Sequence, residues 1–196
     1  MLQNYELYLI FNPELSSDQI SEQQNQILGT LDTELKAQNV QTNVEGLKKM
    51  AYPISKYRTG FYTLITFDVD LEFSRNIKNV EKKLNLNESV IRYIVINQTE
   101  FLTQKSKEKR NEVEITNHRE LNKGKNTTKK CISKYMGIRV IDYKDVDYLN
   151  QFTSPYAKIF AKAKTGSSSK FQRKINQAIK RARHMALMPF TPIHND

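Results

Sequence analysis

Wound at about 100° per residue, the segment Lys170–Ala186 (KFQRKINQAIKRARHMA) divides into two faces that do not overlap. Phe171, Ile175, Ala178, Ile179, Ala182, Met185 and Ala186 share an arc of roughly a third of the circumference. Lys170, Arg173, Lys174, Lys180, Arg181, Arg183 and His184 take the remainder, together with Gln172, Asn176 and Gln177. This predicts a helix that turns one face to a core and offers the other to anions. No side-chain carboxylate occurs between Asp147 and Asp196, so the basic face has no acidic neighbours at i,i+4 to neutralise it and calls for an external polyanion. A membrane-surface helix would carry large hydrophobes, whereas four of the seven apolar residues are alanine or methionine and none is tryptophan or leucine.

The net charge of +10 is spread unevenly over the 196 residues. Residues 1–98 hold 10 basic and 12 acidic side chains, residues 99–130 hold 9 and 5, and residues 131–196 hold 12 and 4. Basicity therefore belongs to the second half. The length suits one large domain or two small ones. The single cysteine, Cys131, excludes an internal disulfide framework and a cysteine-rich zinc site, and a reducing compartment fits. An alternating strand pattern follows Met1 closely, which leaves no room for a signal or transit peptide, and no apolar run approaches membrane-spanning length. No cofactor, metal or membrane partner is expected.

In the first half, Tyr5, Leu7, Leu9 and Phe11 alternate with Glu6, Tyr8 and Ile10, the signature of a strand with one strongly buried face. Ser16 and Gln19 form a capping box for a helix striped by Ile20, Ile27, Leu28, Leu31 and Leu35. Val40–Ile54 and Gly60–Val69 read as strands joined in an antiparallel hairpin, Phe73, Ile77, Val80 and Leu84 mark a second helix, and Ser89–Asn97 supplies a last strand. The order β-α-β-β-α-β predicts an α+β fold, a ferredoxin-like sandwich over residues 1–98 with two helices on one face of four strands. Residues 99–130 are dominated by charged and polar side chains and read as a mobile linker, with a transient helical piece around Lys105–Asn111.

Residues 131–196 read as a small, mainly helical basic domain. Ile138, Val140 and Ile141 suggest an extended segment, Val146, Leu149 and Phe152 anchor a short helix, and Lys158–Lys170 forms a lysine-bearing loop before the long helix. Ser169 and Gln172 resemble a capping box, and the helix N-terminus beside Lys164, Thr165 and Gly166 is a candidate phosphate site. Pro189 stops the helix, and Met188 and Phe190 fold back as a plug. So few large apolar groups predict a domain that leans on a partner surface.

Two stretches carry family resemblances. The runs Ile141–Asp145 (IDYKD), Lys164–Gly166 (KTG) and Lys170–Phe190 resemble bacterial small-subunit ribosomal protein eighteen, and Tyr5–Pro13, Met50–Tyr62 and Val90–Ile96 resemble bacterial small-subunit ribosomal protein six. The resemblance implies a heterodimer on the platform of the small subunit, bound to the central domain of its ribosomal RNA, here written as one polypeptide. A linker of about 32 residues spanning roughly 30 Å would hold the halves at about millimolar effective concentration, so pairing becomes intramolecular. The chain departs from the first family in carrying Glu45 before Gly46 where tryptophan is usual, followed by Leu47 and Lys48. It departs from the second in the loop Ala157–Gly166, where lysines replace an arginine pair, giving point charges in place of bidentate forks.

The implied function is structural and non-enzymatic: binding small-subunit ribosomal RNA beside neighbouring small-subunit ribosomal proteins, in a cytoplasmic or organellar ribosome. Lys162, Lys164, Lys170, Arg173, Lys174, Lys180, Arg181 and Arg183 are the expected RNA-binding residues, with phosphates as their targets. An alternative is a stand-alone RNA-recognition module, since Leu7-Tyr8-Leu9 has the look of a first-strand motif, but the third strand lacks the paired aromatic spacing of a stacking platform, and Tyr8 and Phe61 read as packing residues. A small ferredoxin-like enzyme is the reading of a different class. His118, His184 and His194 cluster with no nucleophile, and no phosphate-binding loop or dinucleotide fingerprint is present.

Overall fold

The computed structural model of the chain describes residues 2–98 and 141–191. The chain divides into two compact units, Met1–Thr99 and Glu100–Asp196. The expected linker at 99–130, Cys131, His118, His194 and the extended stretch at Ile138 and Val140 lie outside the described residues.

The first unit runs β1 (Leu2–Phe11), α1 (Ser17–Leu35), β2 (Gln38–Ile54), β3 (Tyr57–Asp70), a 3-10 turn (Phe73–Asn76), α2 (Ile77–Leu86) and β4 (Val90–Asn97). The sheet has the order β2-β3-β1-β4 and every neighbouring pair is antiparallel. Each helix therefore links two strands that have a third between them, the split crossover of the ferredoxin-like sandwich. At the start of α1, Ser16 Oγ accepts from the Gln19 amide at 3.3 Å while Gln19 Oε1 accepts from the Ser16 amide at 3.0 Å. The capping box thus satisfies two backbone donors that a helix start leaves open. Ile20, Ile27, Leu31 and Leu35 are buried against Tyr5, Leu7, Leu9, Phe11, Ile65, Phe67 and Val69 of the sheet, with Val80 and Leu84 of α2 closing the core. Phe73 belongs to the 3-10 turn, so α2 starts four residues later than its apolar spacing predicts.

The expectation of one buried face on β1 is corrected by the structure, for every residue from Tyr5 to Phe11 is buried. β1 lies between β3 and β4, so its second row has neighbours on both sides: Ile10 pairs with buried Tyr62, Glu6 with buried Ile96, and Tyr8 with half-buried Leu64 and Ile94. The Tyr8 and Tyr62 rings lie 5.5 Å apart. Polar members of this row are satisfied within it. Glu6 accepts from Gln98 Nε2 at 2.8 Å, and the Tyr8 hydroxyl donates to the Glu45 carboxylate. Glu45 reaches that position because a β-bulge between Val44 and Gly46 inserts one residue, with Gly46 at φ +82°, a conformation that favours glycine. Lys48 Nζ binds the same carboxylate at 2.9 Å. Outside this cluster β2 is a long edge strand, with Val40, Val44 and Leu47 exposed.

Two tests follow from this packing. A Cβ at Gly60 would stand 2.5 Å from Cγ2 of fully buried, β-branched Ile10. Gly60→Ala should therefore cost about 1–3 kcal/mol, visible as faster amide hydrogen exchange in β1 and β3. Burial, followed by the hydrogen bond to Glu45, pushes the Tyr8 hydroxyl well above its ordinary pKa, and burial does the same for Tyr62. Because the folded values lie above the unfolded value of about 10, this stability is complete below pH ~10 and declines as pH rises further, by up to about 1.4 kcal/mol per pH unit and group. In urea titrations between about pH 9 and 11, Tyr8→Phe should flatten that decline.

Candidate nucleic-acid interface

The described part of the second unit is built of helices joined by turns. It contains α3 (Val146–Asn150), α4 (Lys162–Thr165) and α5 (Ser169–His184). Asp145 caps α3 by accepting from the Tyr148 amide at 3.1 Å. Between α3 and α4 the chain doubles back through a turn at Ser154–Ala157: the Ser154 amide donates to Lys158 at 2.8 Å, the Phe160 amide donates to Phe152 at 2.8 Å, and Thr153 bridges Ile159. Ala157 is left-handed at φ 56°. Gly166 ends α4 at φ 65°.

All seven apolar residues that the helical wheel assigns to one arc are buried: Phe171, Ile175, Ala178, Ile179, Ala182, Met185 and Ala186. They share the interior with Leu149 and Phe152, which are fully buried, and with Tyr143, Tyr148 and Met188. Phe152 meets Tyr148 and Phe171 edge to face, at 5.2 and 6.4 Å between centroids. Val146 is half-buried beside this core.

The cap of α5 falls one residue earlier than the spacing suggests. Ser168 accepts from the Phe171 amide at 3.3 Å. Ser169 is the first helical residue, and its hydroxyl receives Lys162 Nζ at 3.0 Å. Gln172 has a different task. Its Nε2 donates to the Phe160 carbonyl at 2.9 Å, and its Oε1 accepts from Thr165 Oγ1 at 3.2 Å, so it ties the preceding loop to the helix. The helix also stops before Pro189. The Leu187 amide donates to Ala182 at 2.9 Å and the Ala186 amide to Arg183 at 3.0 Å, with Ala186 left-handed at φ 52°. These are the bonds of a Schellman ending, with alanine in the place glycine usually takes. Beyond it Met188 turns inward, while Phe190 remains 49% exposed and is no plug.

Of the eight expected RNA-binding residues, Lys162, Lys164, Lys170, Arg173 and Lys180 are exposed, and Lys174 and Arg181 are partly so. Lys164 Nζ stands 3.7 Å over the Phe160 ring, a cation–π contact that fixes its position without neutralising it. Arg183 differs from the rest. Its Nε donates to the Pro189 carbonyl at 3.1 Å, its Nη2 donates to the Ala157 carbonyl, and the guanidinium lies 5.7 Å from the Phe190 ring centroid. Burial lowers its pKa. On the wheel Arg183 borders the apolar arc, about 40° beyond Ile179, while Arg173 and Lys180 stand opposite it. That position was the available signal for an inward role. Sequence reasoning also passed over Lys158 and Tyr156, both exposed at the 154–157 turn. No group of His, Cys, Asp and Glu able to hold a metal occurs among the described residues, and no described helix is long and apolar enough to cross a membrane.

A small α+β sandwich followed by a compact cationic helical unit is the arrangement on which comparison with known proteins converges. Residues 4–97 match the family model of Ribosomal protein S6, and residues 137–188 match that of Ribosomal protein S18. Small ribosomal subunit protein bS18 of Flavobacterium johnsoniae is 52% identical over 71 residues, covering 36% of this chain and 72% of the relative. That of Bacteroides fragilis is 53% identical over 62 residues, covering 32% and 69%. The crystal structure of 30S ribosomal protein S6 from Thermotoga maritima superposes with a TM-score of 0.50 at 20% identity, covering 55% of this chain and 97% of that one, a likeness of fold. The chain belongs to the ribosomal protein S18 family through its second unit and carries a ribosomal protein S6 domain ahead of it.

The capping geometry is open to a direct test. Ser168→Ala should cost about 1 kcal/mol and lower the thermal midpoint of the second unit, whereas Ser169→Ala, which removes only an exposed contact to Lys162, should change it by a few tenths at most.

Proposed function

We infer that this chain is a structural constituent of the small ribosomal subunit, non-enzymatic, binding small-subunit ribosomal RNA through the outer face of α5 and the lysines of α4. One observation carries the reading: the described residues from Tyr148 to Thr191 expose Lys162, Lys164, Lys170, Arg173 and Lys180 and include no side-chain carboxylate. Such a surface gains most by replacing counterions with a phosphate backbone. Protein S6 and protein S18 are separate families, and here one polypeptide supplies both. Their pairing in this chain is then intramolecular, fixed at one to one and independent of protein concentration. The central domain of the RNA, on the subunit platform, is the binding region the family resemblance suggests, with neighbouring small-subunit proteins as further partners and the ribosome, hence the cytoplasm, as the location.

The reading makes Tyr8 a packing residue rather than a base-stacking one, since its ring is buried and its hydroxyl is held by Glu45. Residues 1–98, 99–130 and 131–196 are, on this proposal, the sandwich, the connecting segment and the RNA-binding domain.

Filter binding of the full chain to a small-subunit ribosomal RNA transcript over a series of salt concentrations tests the assignment. Affinity should fall steeply with salt. Replacing Arg173 and Lys180 together by Ala should reduce the slope of log K against log salt by about 1–2, because each lost phosphate contact removes slightly under one released ion. A slope unchanged in that variant would remove the outer face of α5 from the interface.

A further inference from the structure

The second unit holds two exposed aromatic rings among its described residues, Tyr156 at 73% and Phe190 at 49% exposure. Core packing accounts for neither. The backbone beside each is held by the same side chain: Arg183 donates to the carbonyl of Ala157, next to Tyr156, and to the carbonyl of Pro189, next to Phe190. Its guanidinium also lies under the Phe190 ring at 5.7 Å. The Tyr156 turn is bound further by Ala157 N donating to Ser154 at 2.9 Å and by Lys158 N donating to Ser154 Oγ at 3.1 Å. Two rings are thus presented from short, hydrogen-bonded segments joined through one arginine.

The charge around them selects the occupant. Lys158 follows the turn, and no side-chain carboxylate occurs from Tyr148 to Thr191. A partner that approaches this surface brings negative charge, and an aromatic face beside phosphate-binding cations suits a base that has left its stack. Paired RNA offers such rings nothing to lie on, because its bases are covered by their neighbours. We propose that Tyr156 and Phe190 stack on unpaired bases of the bound RNA, with Arg183 as the positioning residue that holds both ring-bearing segments. This deepens the RNA-binding reading above and rests on it. Arg183 then acts through backbone carbonyls and contributes little to phosphate binding, which separates it from Arg173 and Lys180.

The test uses the full chain and two RNA hairpins that differ by one uridine, absent from one so that a single 2-aminopurine is bulged and present in the other so that the same base is paired. The parent chain should bind the bulged hairpin about tenfold more tightly, in keeping with stacking of roughly 1–3 kcal/mol per base, and should quench its fluorescence. Tyr156→Ala with Phe190→Leu should abolish the preference and the quenching while leaving the salt slope on the paired hairpin intact. Arg183→Lys keeps the charge, removes the fork, and should lose the preference at an unchanged slope. If that variant unfolds by circular dichroism, the substitution at exposed Tyr156 decides alone. Equal affinity of the parent for both hairpins, or a preference that survives the double substitution, overturns the proposal and leaves the rings to a protein neighbour. A flat salt dependence on the paired hairpin would instead defeat RNA binding itself.

Discussion

Like charges three or four residues apart weaken a helix by a few tenths of a kcal/mol per pair, and α5 contains Lys170 with Arg173 and Lys174, and Lys180 with Arg183, at those separations. The helix itself contains no acidic side chain to offset them. What holds the helix is its other face, where Phe171, Ile175, Ile179 and Ala182 are buried against Leu149 and Phe152. Full burial of side chains the size of Phe171, Ile175 and Ile179 is worth about 1.5–3 kcal/mol each, which outweighs the repulsion several times over. The cationic surface exists because the apolar arc is fixed first. A cavity made at Ile175 would therefore weaken RNA binding at a distance from any phosphate.

Around that arc the second unit is also tied together by hydrogen bonds. Asp145, Ser168 and the Schellman ending at Ala186 satisfy helix termini, Gln172 ties the loop at Phe160 and Thr165 to α5, and Arg183 joins the turn at Ala157 to the segment at Pro189. In a domain with so small a core, these connections decide the shape that the cations are mounted on. Lysine at 162 and 164 suits such a mounting, for each ammonium is steered by a contact of its own, one with Ser169 and one with the Phe160 ring, and needs no planar fork.

Most of the architecture was readable from residue periodicity. Alternation in Tyr5–Phe11, the capping box at Ser16 and Gln19, and the 3.6-residue stripes of α1 and α5 are local signals that tertiary packing reinforced. Some of the misreadings depend on atoms far away in the chain, and others on local backbone geometry that composition does not mark. Glu6 sits in the row of β1 that the alternation leaves outside the buried face, and only Gln98, far along the chain, satisfies it there. Three consecutive serines, 167–169, offer equivalent caps, and only the path of the preceding loop selects Ser168. Arg183 is cationic in any sequence reading, and its inward role depends on carbonyls 26 residues before it and 6 after it. The helix end was misplaced because alanine at a left-handed position leaves no compositional mark.

The free margin of β2 has a consequence for the chain before it reaches its destination. A strand paired on one side only among the described residues, with Val40, Val44 and 62%-exposed Leu47 on display, is a template on which other molecules can add strands. Three local features blunt it: the kink where Glu45 is inserted, the left-handed Gly46, and the adjacent cations Lys48 and Lys49. The bulge and the two lysines make this margin a poorer template for fibrous self-association than its apolar side chains alone would be.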